Sequence, residues 1–147
     1  MELKVLADRY QVAMNTVFRG VNHIMKEKVH SDITTDQFAT LQYIQQHDQC
    51  TSTEISHAFG VGKSAVTNQV NRLVNKGLVY RTRDESDRRN VYLHITEKGS
   101  ELVQYTEKEL YTVLEPLLGH FSNEEILTFI EALERLALLM EDYDKRN

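Results

Sequence analysis

The run GVGKSAVTNQVNRLVNKGLVYRTRDESDRRNVYLHIT, Gly60 to Thr96, decides how this chain folds. Val66, Val70 and Leu73 recur at spacings of four and three, which places them on one face of a helix, and Gly77 supplies its stop. From Leu78 to Arg83 the residues turn β-favouring. Val91, Leu93 and Ile95 then alternate with Tyr92 and His94, as in a strand with one apolar face. The polar turn DESDRRN, Asp84 to Asn90, joins the two strands. Just upstream, Thr51-Ser52-Thr53-Glu54 has the T-x-x-E pattern of a capping box and opens a short helix through Ile55, Ala58 and Phe59. Gly60 suits the left-handed turn that ends it. Two short helices joined by a glycine turn, followed by strand, loop and strand, read as a helix-turn-helix with a β-wing.

The flanks are helical. Leu3, Leu6, Tyr10, Ala13, Val17, Val21 and Ile24 share one face of a helix over the first 28 residues. Thr34-Thr35-Asp36-Gln37 is a second helix start, with Phe38, Leu41, Tyr43 and Ile44 on its apolar side and an end near Asp48. Thr96 starts a long helix that Pro116 is expected to kink or end. Ser122-Asn123-Glu124-Glu125 opens the last helix, where Ile126, Ile130, Leu133, Ala137 and Met140 form a coiled-coil-like seam. The terminal helices hold more apolar surface than a small lobe can cover, so they are expected to pair with a second copy of the chain. Leu3, Leu6, Ile126, Ile130, Leu133 and Met140 are the candidate dimerisation residues.

Charge is unevenly distributed. The formal net charge of the 147 residues is −5, yet residues 61–96 hold 7 basic against 3 acidic side chains. Residues 1–60 carry net −2 and residues 97–147 net −7. A basic middle in an acidic chain is the pattern of a protein whose middle meets a polyanion. With Val66, Val70 and Leu73 buried, the opposite helix face shows Lys63, Ser64, Thr67, Asn68, Asn71, Arg72 and Asn75. Hydroxyls and amides can bond base edges in a major groove, and Lys63 and Arg72 can neutralise phosphates. There is no acidic residue from Gly60 to Arg83. In the loop, Arg88 and Arg89 suit a narrow minor groove, and Asp87, two residues before Arg89, can hold it through a charge-assisted hydrogen bond. Gly62-Lys63-Ser64 imitates the end of a phosphate-binding loop, but His57 stands where its first glycine belongs and a helix, not a strand, precedes it.

Other classes find little support. No nucleophile elbow or metal-ligand spacing points to an enzyme, and no cofactor is expected. No apolar run approaches a membrane span, the start MELKVLADRYQ lacks a signal-peptide core, and the single Cys50 excludes an internal disulfide. The expected location is the cytoplasm.

In the order of its elements, and in the run from Asp87 to Gly99, the chain resembles the MarR family of winged helix-turn-helix regulators. Asp87 and Arg89 match the family's D-x-R, and Ile95, Thr96 and Gly99 match L-T-x-x-G with Ile for Leu. Ser64-Ala65-Val66-Thr67-Asn68 is similar to S-x-V-T-R, and Leu73, Gly77, Leu78, Val79 and Arg81 match L-x-x-x-G-L-V-x-R. The resemblance covers essentially the whole chain. It implies a mainly α fold: a winged helix-turn-helix lobe at 34–99 with a two-stranded β-wing, flanked by dimerisation helices at 1–30 and 100–147, as one MarR-type domain. It also implies a homodimeric transcriptional regulator, more often a repressor, on a pseudo-palindromic double-stranded DNA operator. Arg89 would be the minor-groove arginine with Asp87 its support, and Ser64 and Thr67 would face DNA. Asn68 departs from the arginine common at its position, which points to a different base or a phosphate.

Many such regulators release DNA when a small phenolic or lipophilic molecule binds between the lobes. Tyr10, Met14, Phe18, Phe38, Tyr43 and Tyr105 are the candidates for that pocket. Redox sensing through Cys50, zinc sensing through His23, His30, His47, His57, His94 or His120, and a winged helix used only for protein contact are the alternatives.

Overall fold

A computed structural model describes residues 1–29 and 32–147. Among them are six helices and two strands: α1 (Leu3–Glu27), α2 (Thr35–Gln46), α3 (Ser52–Phe59), α4 (Lys63–Asn75), β1 (Val79–Arg83), β2 (Val91–Ile95), α5 (Glu97–Leu118) and α6 (Asn123–Arg146). The chain divides into two compact units, Met1–Leu110 and Tyr111–Asn147.

Helices begin where a side chain can satisfy the first free amides. At α2, Thr34 Oγ1 accepts from the Gln37 amide at 3.1 Å while Gln37 Oε1 accepts from the Thr34 amide at 3.3 Å. Ser122 and Glu125 make the same reciprocal pair at α6, at 3.1 and 3.3 Å. At α3 only half of the expected box is made: Thr51 Oγ1 accepts from the Glu54 amide at 3.2 Å, and no return bond from Thr51 reaches the Glu54 carboxylate. The start of α5 is tied to the end of α4. Thr96 Oγ1 accepts from the Gly99 amide at 3.0 Å and donates to the Gly77 carbonyl at 2.7 Å.

Helices stop by a shared device. Gly60 and Gly77 adopt left-handed backbones, with φ of 64° and 74°. After Gly77, the Leu78 amide bonds the Leu73 carbonyl at 2.9 Å and the Gly77 amide bonds that of Val74, also at 2.9 Å. After Gly60, Val61 and Gly60 return to Ser56 and His57 in the same way. Both are glycine-terminated caps in which the reversing chain satisfies the last carbonyls. Pro116 lies within α5, which runs only two residues further, to Leu118.

The core of the first unit lies under these elements. Leu41 of α2, Ile55 of α3, Val70 and Leu73 of α4, Leu93 of β2 and Val103 of α5 are all essentially buried. Strands β1 and β2 pair antiparallel, with Val79 opposite Ile95 and Arg83 opposite Val91. Cys50 adds a single bridge, its carbonyl accepting from the Leu93 amide at 2.7 Å. The sheet is thereby pinned, at the middle of β2, to the chain between α2 and α3. Elsewhere the apolar surface is uncovered. Towards its C-terminal end α1 packs Val21, Ile24 and Met25 on the core, but Leu3, Tyr10, Val17 and Phe18 are exposed. No residue of α6 is buried.

Gly99 is buried at the contact between α5 and the chain leaving α4. A Cβ there would overlap the Leu78 carbonyl oxygen and stand 2.7 Å from Ile95 Cγ1. Gly99→Ala is therefore expected to cost roughly 1–3 kcal/mol of stability. Urea unfolding should show a lower midpoint with an unchanged slope.

Candidate nucleic-acid interface

Helix α4 separates its residues by face. Val66, Val70 and Leu73 are buried, and Lys63, Ser64, Thr67, Asn68, Asn71 and Arg72 are all exposed. Gly62 precedes the helix without a side-chain cap. One member of the polar set is already engaged: Asn71 Oδ1 accepts a hydrogen bond from Arg81 Nη2 on β1.

The wing is a closed hydrogen-bonded loop. The Asp84 amide donates to the Asn90 carbonyl and the Asn90 amide to the Asp87 carbonyl, each at 3.0 Å. Asp84 Oδ1 accepts from the Ser86 amide at 2.9 Å and the Ser86 hydroxyl at 2.7 Å, and Oδ2 accepts from the Tyr92 hydroxyl at 3.2 Å. Those bonds, the Ser86 hydroxyl's foremost, hold the Asp84 carboxyl below the usual carboxylate range. Arg83 donates to the Arg88 carbonyl at 3.0 Å. The acid at the base of the loop thus serves as its internal scaffold.

Arg89 is held within this frame. Its Nε donates to Asp87 Oδ1 and its Nη2 to Asp87 Oδ2, both at 3.0 Å, and its backbone amide reaches Oδ1 at 3.1 Å. The Arg89 side-chain bond is the main reason the Asp87 carboxyl titrates below its ordinary value. The arginine side chain nonetheless stays 89% exposed. Asp87 takes two of the five N–H donors and leaves three pointing outward. A long side chain fixed before it meets a partner loses less entropy on binding.

Beside the wing opens a cleft of about 510 Å³, lined by Thr51, Ser52, Thr53 and Glu54 at the start of α3 and by Arg89, Asn90, Val91 and Tyr92. None of the six residues read as an effector pocket lines it. Phe38 lies in the core. Tyr43 stacks on His47 with ring centres 3.9 Å apart and meets Phe59 edge-on. Tyr10, Phe18 and Tyr105 are exposed, and Met14 is half-buried. Of the dimerisation candidates, Leu3, Leu6, Ile130 and Met140 are exposed, and Ile126 and Leu133 are partly so.

Three comparisons bear on this geometry. The family model described as the MarR family matches residues 33–91. The HTH-type transcriptional regulator YsmB of Bacillus subtilis is 30% identical over 104 residues, covering 71% of each chain. The chain belongs to the MarR family. The HTH-type transcriptional repressor MdtR of B. subtilis is 26% identical, over 93% of this chain and 89% of that one. The crystal structure of Streptococcus pneumoniae FabT in complex with DNA superposes with a TM-score of 0.75 at 26% identity, covering 96% of this chain and 99% of FabT. The protein is accordingly a MarR-type DNA-binding transcriptional regulator with a winged helix fold, and not an enzyme.

Two features of this MarR protein escape a reading of the sequence. The threonines and serine that begin α3 stand next to the wing, and Arg81 reaches across to α4. A signal for the second exists. Arg81 shares a strand face with buried Val79 although it is itself exposed, and that register turns it to the side of the sheet on which α4 lies. The sensor candidates are dispersed. His23, His47, His57 and His120 are exposed, and His94 bonds Thr82 at 2.7 Å. His30 lies outside the described residues. Among the described residues no three metal-ligating side chains gather. No helix there is long and apolar enough to cross a membrane.

Cys50 is fully buried, and burial, with the Glu54 charge second, pushes its thiol up to about 11. Only the thiolate is an effective nucleophile. Iodoacetamide at pH 8 is therefore expected to label the native protein slowly and the urea-unfolded protein readily, as intact mass would record.

Proposed function

We propose that the chain is a cytoplasmic, homodimeric MarR repressor that binds a pseudo-palindromic double-stranded operator and releases it to a small phenolic or lipophilic effector. The observation that carries the DNA contact is the pairing of two outward features on one lobe. One is the polar and cationic face of α4, Lys63, Ser64, Thr67, Asn68, Asn71 and Arg72; the other is Arg89, braced on Asp87 beside Arg88. A helix face of hydroxyls and amides suits a major groove, and an extended arginine suits a minor groove. Repression draws on the likeness to MdtR.

The proposed organisation is a single MarR-type domain. Residues 34–99 form the DNA-reading lobe, and residues 1–30 and 100–147 supply the dimer. The support is uncovered apolar surface on each terminal helix: Leu3 and Leu6 on α1, and Leu127, Phe129, Ile130, Leu138 and Met140 on α6. Exposed apolar surface on this scale is usually covered by a partner. For the effector, Tyr10, Met14 and Phe18 recur every four residues along α1 and give one apolar strip, with Phe38, Tyr43 and Tyr105 as further candidates. Direct oxidation of Cys50 is the weaker switch, because its thiol is buried and un-ionised.

Fluorescence anisotropy on the duplex upstream of the protein's own gene, against unrelated duplex at two salt concentrations, tests the contact. Arg89→Ala is expected to lose on the order of 1–3 kcal/mol of specific affinity with its circular dichroism unchanged. Equal weak binding to both duplexes would favour a winged helix used for protein contact. Leu133→Asp would bury an unpaired charge in the seam and is expected to sediment as a monomer in analytical ultracentrifugation. A Leu133→Asp monomer that still bound the full site tightly would contradict the dimer.

A further inference from the structure

Between α4 and the wing runs a strand that carries two more arginines. Arg81 and Arg83 alternate onto one face of β1 with buried Val79 and stand opposite Leu93 and Val91 of β2. On an extended strand, residues two apart lie about 7 Å from each other. Both arginines are exposed. Arg81 Nη2 donates to Asn71 Oδ1 on the outward face of α4, and Arg83 Nη1 donates to the Arg88 carbonyl in the wing at 3.0 Å. Each of these bonds goes to a neutral oxygen. The ion pairs among the described residues are Lys4 with Asp8 and Arg89 with Asp87, so no carboxylate there offsets the charge of Arg81 or Arg83. One bond apiece leaves most of the five N–H donors of each guanidinium for a partner.

The position of the two arginines selects that partner. A protein that sets α4 in a major groove and Arg89 in the neighbouring minor groove must cross the sugar-phosphate backbone that divides the two grooves. Arg81 touches the first of those elements and Arg83 the second, so both guanidiniums lie along that crossing. A guanidinium can meet phosphate oxygens with two parallel N–H donors. The geometry points to Arg81 and Arg83 as a phosphate clamp that seats this stretch of backbone and fixes α4 and the wing in register on the duplex. Such contacts position the protein and carry no base preference. This inference rests on the reading of α4 as the major-groove helix and Arg89 as the minor-groove arginine. Arginines that only braced the wing on α4 would act through stability and leave the salt dependence of binding alone.

The test is the salt dependence of affinity, measured by anisotropy on a duplex selected by the full chain and on an unrelated one. Each phosphate contact adds about 0.9 to the slope of log affinity against log salt. Arg81→Gln and Arg83→Gln each remove one contact per protomer, so each is expected to flatten the slope by about 1.8 in the proposed dimer. Between roughly 50 and 200 mM salt, that amounts to about a twelvefold smaller loss of affinity. The slope on the unrelated duplex should flatten too, and the selected motif should stay the same. Arg81→Lys and Arg83→Lys keep the charge and should restore the slope. A slope left unchanged by both Gln variants, with circular dichroism unaltered, would reduce the arginines to a brace and overturn the proposal. Neutral methylphosphonate linkages test the contact from the DNA side with the wild-type protein. Those on the backbone between the two grooves should weaken its binding, and should be silent towards a protein carrying both Gln substitutions. Linkages there that leave wild-type binding unaffected would also overturn the proposal. A wild type that selects no motif would overturn the groove assignment itself, and this inference with it.

Discussion

The burial of Val66, Val70 and Leu73 along one side of α4 is the constraint on which the rest of the interface depends. Each such side chain contributes about 1.5–3 kcal/mol on leaving water. Together they fix the rotation of the helix about its axis. Once that rotation is set, Lys63, Ser64, Thr67, Asn68, Asn71 and Arg72 have no direction but outward. The cap at Gly77 then fixes where the chain goes next. Its left-handed turn sends Leu78 back onto Leu73 and delivers β1 to the edge of the same helix. The wing is therefore placed by the event that ends α4.

An acidic protein can present a cationic surface when its acids are spent locally. Asp84 is consumed by Ser86 and Tyr92 within the loop, and Asp87 by Arg89. Neither carboxylate is left bare in the loop. The strongly acidic segment, residues 97–147, lies in the long helices that follow the wing. Sequence charge alone would have set Asp84 and Glu85 against a nucleic-acid role. The hydrogen bonds show that at least Asp84 works on shape.

Local signals made most of this legible in the residues. Spacings of three and four found the helix faces, threonine and serine found four helix starts, and the glycines found the stops, because each acts within a few residues of itself. The partial box at Thr51 was less legible, since a T-x-x-E pattern permits a return bond without requiring one. The Arg81–Asn71 pair was not found: the alternation of β1 puts Arg81 on the face of Val79, but which helix residue it meets depends on the turn at Gly77. The six effector candidates show the same limit: aromatic residues at helical spacing can fill a core, as Phe38 does, or stand exposed, as Tyr10 and Phe18 do. What covers α1 and α6 is likewise not written in any local run.

The most direct test of the account is dimethyl sulfate interference on a duplex selected by the protein. The reagent methylates guanine N7 in the major groove and adenine N3 in the minor groove, so one experiment probes α4 and the wing separately. The account predicts interference in both grooves of each half-site, with the minor-groove signal alone lost in Arg89→Ala. Minor-groove interference that persists without Arg89, or a half-site read from one groove only, would contradict it.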